Sequence, residues 1–179
     1  MTIKSIFNKI YFKFIRANKR AEIIGVKFGR NCKFNKGINF GTEPNFIKIG
    51  DNFYSSLNVQ FITHDGSVNV LRNMYEEYKN IDFFSPILIG NNVFIGYGAI
   101  ILPGSRIGDN VIVGAGSIVK GNLKSNSVYA GVPVKYICSI ESYADKNKDK
   151  FIVTKHLCPE DKKKYIDNWL VENHVEFNS

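Results

Sequence analysis

The sequence predicts an all-β fold in which three short strands per turn close a triangular coil, about four coils high, with helices at both ends. Three observations predict it. An aliphatic residue recurs at every sixth position in the second half of the chain, and a small or branched residue follows each one four positions later. All 15 glycines lie between Gly25 and Gly131, so the two ends of the chain contain none.

The six-residue period is clearest between Ile89 and Val119, where the hexads read IGNNVF, IGYGAI, ILPGSR, IGDNVI and VGAGSI. A helix places apolar residues three and four apart and a simple strand places them two apart, so neither explains a strict six. Three short strands that close a coil of about 18 residues explain this six-residue period. The first residue of each hexad then points inward, and the glycine or asparagine after it forms the corner. We therefore expect a parallel β-helix over residues 21–137.

The same signature marks the start of each coil. Phe28, Ile49, Ile89 and Ile107 are each followed by Gly-x-Asn, at spacings of 21, 40 and 18 residues. Relative to a coil of about 18 residues, these spacings leave insertions of about 3 and about 22 residues. The small insertion falls near residues 41–46. The large one predicts an excursion loop over residues 65–85.

The two ends of the chain differ from the middle in charge. Residues 1–20 hold six basic residues and no acidic one, out of 24 basic and 16 acidic residues in the whole chain. Their apolar residues follow a three-four rhythm, which predicts a basic amphipathic helix. Two interpretations stay open: the helix covers the first coil, or it contacts a membrane surface. Residues 138–179 predict a helical C-terminal cover, with helices near 139–150 and 159–172.

Several protein classes are excluded. No apolar run approaches the roughly 18–20 residues that span a bilayer, and the N-terminus lacks the features of a secretory signal. The three cysteines, Cys32, Cys138 and Cys158, show no metal-type spacing and fit reduced thiols. We expect a cytoplasmic protein, with the basic helix as its one candidate for peripheral contact at the inner membrane face.

The run from IGNNVF through GAGS to the closing AGVPVKYI resembles the hexapeptide-repeat acyltransferases, in particular galactoside, maltose and surface-polysaccharide O-acetyltransferases. The resemblance covers roughly residues 22–137. It implies a left-handed parallel β-helix, a homotrimer, acetyl-CoA as acyl donor in the groove between neighbouring prisms, and a loop histidine as general base. It implies no metal.

Site residues follow from the chemistry and from this resemblance. Acyl transfer to a hydroxyl needs a base near neutral pKa, and His64 is the one histidine in the coil region. The alternative is a corner histidine bonded to backbone. The resemblance implies that coenzyme A contacts the backbone at Tyr97, Gly98, Ala115 and Gly116, with a backbone amide near the first two as oxyanion donor, and that Lys120 and Lys135 face its phosphates. Asn58, Glu76 and Asp82 are candidate acceptor contacts, and no residue is assigned to orient His64.

The predicted function is acetyl-CoA-dependent O-acetylation of a sugar hydroxyl in surface polysaccharide biosynthesis. The alternative is N-acetylation of a nucleotide-linked amino sugar. A zinc enzyme on this fold would need three coil-region histidines, and one is present. A non-enzymatic scaffold is disfavoured by the intact GAGS and AGVP segments. No recognition motif accompanies the basic head, so nucleic acid is not expected as a partner.

Overall fold

The computed structural model describes residues 16–173. The strands in this part of the chain are β1 (Lys27–Phe28), β2 (Ile47–Ile49), β3 (Tyr54–Ser55), β4 (Gln60–Phe61), β5 (Ile87–Ile89), β6 (Val93–Ile95), β7 (Ile100–Ile101), β8 (Arg106–Ile107), β9 (Val111–Val113), β10 (Ile118–Val119), β11 (Asn122–Leu123), β12 (Ser127–Ala130) and β13 (Lys135–Ser139). The helices are α1 (Ala17–Ile23), α2 (Val68–Met74), α3 (Ile140–Asn147) and α4 (Pro159–Glu172). Single 3-10 turns lie at Pro44–Phe46, Glu76–Tyr78 and Lys148–Lys150.

The strands form three sheets, one for each side of a prism. Sheet A has the order β1-β2-β5-β8-β11, sheet B the order β3-β6-β9-β12-β13, and sheet C the order β4-β7-β10. All pairs are parallel except β12 with β13, which is antiparallel. In sheet A, Lys27 pairs with Lys48, Ile47 with Ile87 and Leu88 with Arg106. These offsets of 21, 40 and 18 residues equal the spacings of the Gly-x-Asn signature.

The core of the prism is apolar and follows the hexads. Their first residues, Ile89, Ile95, Ile101, Ile107, Val113 and Val119, are each at most 5% exposed, which confirms their predicted inward direction. Aromatic rings fill the earlier coils, where Phe40 stacks on Phe61 with their ring centroids 5.6 Å apart. Close packing of this kind fixes the strand register, because a shift by one residue would turn the apolar side chains outward.

The prism has three corners, named here the asparagine corner, the glycine corner and the loop corner. The asparagine corner joins sheets A and B, and the glycine corner joins sheets B and C. The loop corner joins sheets C and A and gives rise to the excursion loop. At the asparagine corner the backbone is left-handed, with φ between 54° and 58° at Asn31, Asn52, Asn92, Asn110 and Asn126. Asparagine tolerates this region better than other residues with a Cβ.

The ends of the prism depart from the predicted boundaries. The boundary at residue 20 falls inside α1, whose Ala21 is fully buried in the core. The boundary at residue 137 falls inside β13, because this strand continues its antiparallel pairing with β12 as far as Ser139. The predicted helix over 139–150 is an α-helix up to Asn147 and a 3-10 turn beyond it. The predicted membrane contact depends on residues 1–20, of which 1–15 lie outside the described residues.

Residues from Ala144 onward form a second compact unit. Its main element is α4, which begins with Pro159 as predicted and is preceded by Cys158, whose Sγ accepts a hydrogen bond from the Asp161 amide at 3.5 Å. Proline at the first helical position costs no hydrogen bond, because that amide would have no partner within the helix. Cys32, Cys138 and Cys158 are all free thiols. In residues 16–173, no helix is both long and apolar enough to cross a membrane.

Candidate functional site

The excursion loop leaves the prism after sheet C and returns to sheet A through a narrow neck. His64 and Phe84 form an antiparallel backbone bridge. The Asp65 amide donates to the Phe83 carbonyl at 2.9 Å, and the Ser85 amide donates to the Thr63 carbonyl at 3.0 Å. The loop therefore begins and ends at the same point of the loop corner, and the backbone bonds of the neck hold the position of His64.

The His64 side chain is 32% exposed, and its ring lies against Phe84, with the centroids 4.5 Å apart. Its Nε2 atom is buried, has no hydrogen-bond partner among the described residues, and lies 3.6 Å from Oδ1 of Asp82. This separation is longer than a hydrogen bond, but it brings the negative charge of Asp82 next to the ring. No hydrogen bond joins the His64 ring to the backbone of the described residues.

Asp82 is in turn held by Arg72 of α2. The guanidinium forms an ion pair with the Asp82 carboxylate, and its Nε donates to the Ile81 carbonyl at 2.7 Å. The loop thus links Arg72, Asp82 and His64 in series. Arg72 was missed in the sequence, because nothing in an insertion without repeats indicates which cation lies near the histidine.

The other loop carboxylates have different partners. Asp65 accepts a hydrogen bond from the Ser67 amide at 2.9 Å, and this bond, more than the nearby charges of Lys120 and His64, holds the pKa of Asp65 below its ordinary value. Glu76, predicted as an acceptor contact, pairs with Lys79 at 2.9 Å, and both side chains are mostly exposed. Among the described carboxylates, Asp82 alone lies within 4.0 Å of the His64 ring nitrogens.

The predicted coenzyme contacts lie at the glycine corner. The Gly98 amide donates to the Leu57 carbonyl at 3.0 Å, and the Gly116 amide donates to the Tyr97 carbonyl at 2.7 Å. These two amides are therefore used between coils in the single chain. The Tyr97 and Ala115 amides make no hydrogen bond to other described residues.

The two glycines keep a different role at this corner. A Cβ added at Gly98 or Gly116 would meet no atom within 4 Å, and both residues have φ near 65°. The corner is thus open beside these two glycines, so a narrow ligand can approach the backbone there closely. These features fit the pantetheine arm of coenzyme A.

Asn58 lies one coil from Tyr97 on the same corner. It has φ of 58°, and its Nδ2 donates to the Tyr97 hydroxyl at 3.1 Å. It is therefore a left-handed corner asparagine that is bonded to the Tyr97 side chain.

The two lysines that were predicted to face phosphates are both exposed. Lys120 directly follows β10, at the loop corner, where its charge contributes to the low pKa of Asp65. Lys135 begins β13. Glu43 was not predicted as a site residue. Its carboxylate accepts a hydrogen bond from the hydroxyl of Thr63, the residue before His64, at 3.0 Å.

Within one chain, His64 and the free amides of the glycine corner lie at opposite edges of sheet C. Within a single prism, His64 and the expected backbone contacts of coenzyme A are therefore a full sheet apart. In the part of the chain that the structure describes, no three histidine, cysteine, aspartate or glutamate side chains are grouped closely enough to hold a metal ion.

Comparisons with known proteins agree with the repeat. The family described as bacterial transferase hexapeptide (six repeats) matches residues 86–121. Protein CapG of Staphylococcus aureus is 43% identical over 170 residues, which cover 92% of this chain and 97% of that protein. Galactoside O-acetyltransferase of Escherichia coli is 37% identical over 142 residues, which cover 68% of this chain and 69% of that enzyme.

A solved structure shows the same architecture. The galactoside acetyltransferase in complex with coenzyme A has a TM-score of 0.50 and 30% identity, over 77% of this chain and 76% of that chain. The likeness implies that the coils described above wind in the left-handed sense. The chain belongs to the hexapeptide-repeat acetyltransferases and is itself an acetyltransferase.

Proposed function

We propose that this enzyme transfers an acetyl group from acetyl-CoA to a hydroxyl of a saccharide in surface polysaccharide biosynthesis, and that it acts as a cytoplasmic homotrimer of left-handed prisms with about four coils each. Acetyl-CoA is the acyl donor and supplies the activated thioester. The similarity to galactoside O-acetyltransferase supports a sugar hydroxyl as acceptor. The observation that carries the proposal is the His64 ring, partly exposed, with its Nε2 beside the Asp82 carboxylate.

In this proposal His64 takes the proton of the acceptor hydroxyl at Nδ1. The negative charge of Asp82 stabilises the imidazolium that results, and Arg72 holds Asp82 in place. The Tyr97 amide is the candidate donor to the charge that develops on the acetyl carbonyl oxygen, since it has no other partner among the described residues. The open corner at Gly98 and Gly116 accommodates the pantetheine arm.

A shared site between chains supports the trimer. One prism keeps His64 a full sheet away from the free Tyr97 amide, so a complete site requires the glycine corner of one chain beside the loop corner of another. The outer side of sheet C carries Ile62, Ile100 and Ile118, which are partly exposed in the single chain. An apolar face between the two corners is the surface that such an assembly would bury.

The test is acetyl transfer by the purified full chain. Release of the coenzyme A thiol is followed over a panel of neutral and acidic oligosaccharides, simple glycosides and nucleotide-linked amino sugars. Products are then treated with mild alkali, because an O-acetyl ester is cleaved and an N-acetyl amide is not. Transfer confined to the amino group of a nucleotide-linked sugar would refute the proposed acceptor.

The His64→Ala variant tests the base. General base catalysis contributes about 10²–10⁴-fold, so kcat is expected to fall by at least about 100-fold. His156→Ala is the matched control, because His156 is exposed and lies in the second unit. Full turnover by His64→Ala on the true acceptor would exclude the assignment. A monomer in light scattering would exclude the shared site.

A further inference from the structure

The outer face of sheet A carries a row of positive charge that the proposed reaction does not use. The register aligns Lys27 with Lys48, Lys48 with Leu88, Leu88 with Arg106, and Arg106 with Asn122. Each of these residues is the outward one of its strand, and the three cations are exposed. With neighbouring strands about 4.8 Å apart, the row runs along the stack for roughly 20 Å.

The charges in this row are not neutralised by the prism. Among the described residues, Lys27, Lys48 and Arg106 take part in no ion pair. Lys27 and Lys48 lie directly opposite each other, an arrangement of like charges that destabilises a sheet. The carboxylate of Asp51, on the nearby corner, is already bonded to Arg30 at 2.9 Å. The fold therefore keeps a repulsion that an anionic ligand would relieve.

Four residues of the row, Lys48, Leu88, Arg106 and Asn122, line a groove of about 560 Å³, and Lys27 is not part of its lining. No acidic and no aromatic residue lines it, and its polar lining includes Lys48, Arg106, Asn91 and Asn122. Leu88 and Ile89 supply an apolar floor in the middle. This lining suits a sugar chain. Its cations can pair with acidic groups, its amides can bond hydroxyls, and its aliphatic surface can contact the C–H faces of the sugars. Sites for single-stranded nucleic acid combine positive charge with aromatic side chains on which the bases stack, and no aromatic side chain lines this groove.

The groove adjoins the corner that holds His64. Ser85 of the neck comes two residues before β5, and its hydroxyl lies 3.1 Å from the position that a Cβ of Gly104 would occupy. Arg106 follows Gly104 by two residues. A chain that lies along the row can therefore reach the neck of the excursion loop.

We propose that this row binds an acidic saccharide chain, the extension of the acceptor whose reacting hydroxyl lies at His64. The inference rests on the proposed function for the second half of that statement, whereas the row itself can be tested without catalysis. The acidic groups of the chain pair with Lys27, Lys48 and Arg106, and the repeating sugars lie over Leu88.

Binding is measured by calorimetry on the full chain without acetyl-CoA. The probes are galacturonic acid oligosaccharides, neutral galactose oligosaccharides of the same length, and a short single-stranded oligonucleotide of the same charge. The acidic saccharide is expected to bind most tightly and to weaken as salt is raised, because exposed charges are screened. The double variant Lys48→Gln with Arg106→Gln is expected to weaken binding about fivefold to tenfold.

The matched control removes the same charge elsewhere. Lys33→Gln with Lys36→Gln changes two exposed lysines outside the row and is expected to leave the affinity within twofold. Equal affinity for acidic and neutral saccharides, an equal loss in the control, or tighter binding of the oligonucleotide would each overturn the proposal.

A turnover assay separates this proposal from the proposed function. If both hold, acidic oligosaccharides are acetylated with a lower KM than neutral ones, and the double variant raises KM while kcat is kept. If the row binds acidic saccharide and none of the panel is acetylated, the acceptor assignment fails and the binding site stands. If neutral sugars are acetylated with an unchanged KM in the double variant and no acidic chain binds, the row is excluded.

Discussion

Asn110 allows the contribution of the asparagine corner to be measured. It has φ of 54° and stands in a ladder of side chains, where it accepts a hydrogen bond from Asn92 at 2.9 Å and donates one to Asn126 at 2.7 Å. Asn110→Ala removes both bonds and leaves a residue with a Cβ in the left-handed region. Asn110→Gly removes the same bonds but adopts that backbone freely.

The expected costs follow from these two terms. Two exposed side-chain hydrogen bonds contribute about 0.5 kcal/mol each, at the low end of the usual range. A left-handed backbone costs an ordinary residue about 1 kcal/mol or more. We therefore expect Asn110→Ala to lower the free energy of unfolding by about 2 kcal/mol and Asn110→Gly to lower it by about 1 kcal/mol.

Urea unfolding at one fixed protein concentration measures both variants, since the stability of an oligomer depends on concentration. Asn80→Ala serves as the control. Asn80 is exposed on the excursion loop, so its change should stay within about 0.5 kcal/mol. If glycine at position 110 costs as much as alanine, the backbone argument is refuted. If neither variant differs from the control, the ladder contributes nothing to stability.

Three further predictions concern packing, thiol reactivity and pH. Gly96→Ala places a Cβ 2.5 Å from the Ala115 amide nitrogen, so urea unfolding should show a loss of about 1–3 kcal/mol. Burial raises the pKa of the Cys32 thiol, so peptide mass spectrometry should show it labelled by a thiol reagent at least about tenfold more slowly than exposed Cys158. Hydrogen bonds from Arg30, chiefly from its backbone amide and next from its side chain, lower the pKa of Asp51 from its ordinary value of 3.8. The stabilisation that the Asp51 carboxylate gives the fold is therefore present above pH 3.8 and is lost as the pH falls through the lowered pKa. Asp51→Asn should therefore be less stable than the natural protein at neutral pH, and the gap in thermal unfolding should close in strong acid.

Each of these has an outcome that contradicts it. Gly66→Ala, where the Cβ would meet nothing within 4 Å, is the control for packing, and equal losses in both alanine variants would remove the steric explanation. Equal labelling rates for the two thiols in the folded protein would show that Cys32 is not protected. A difference between Asp51→Asn and the natural protein that does not change with pH would exclude the carboxylate as its source.

The sequence predicted the prism well because each inward residue repeats a local rule. Ile95 and Ile101 are fully buried, as their place in the hexads predicts, and four of the five left-handed asparagines at the asparagine corner follow a glycine by two residues. Pairing register also follows from the spacings, since the core fixes it.

The site was less predictable, because it depends on contacts between segments with no common repeat. Asp82 reaches His64 through a fold of the insertion that no local pattern encodes. The Gly98 amide donates to the Leu57 carbonyl because coils that are 40 residues apart in sequence stack on each other. β13 was not anticipated either, because its antiparallel direction follows from a turn after β12 and from no hexad.

The neck of the excursion loop has a consequence for how new specificities can arise. A backbone hydrogen bond between Thr63 and Ser85 closes the loop at its base. Doubling the length of a flexible loop raises the entropic cost of its closure by only about 0.6 kcal/mol. A segment beyond the neck that keeps Arg72 and Asp82 can therefore be exchanged as a cassette while the prism and the backbone position of His64 stay as they are. Such exchanges would retarget the enzyme to another acceptor without redesign of its scaffold.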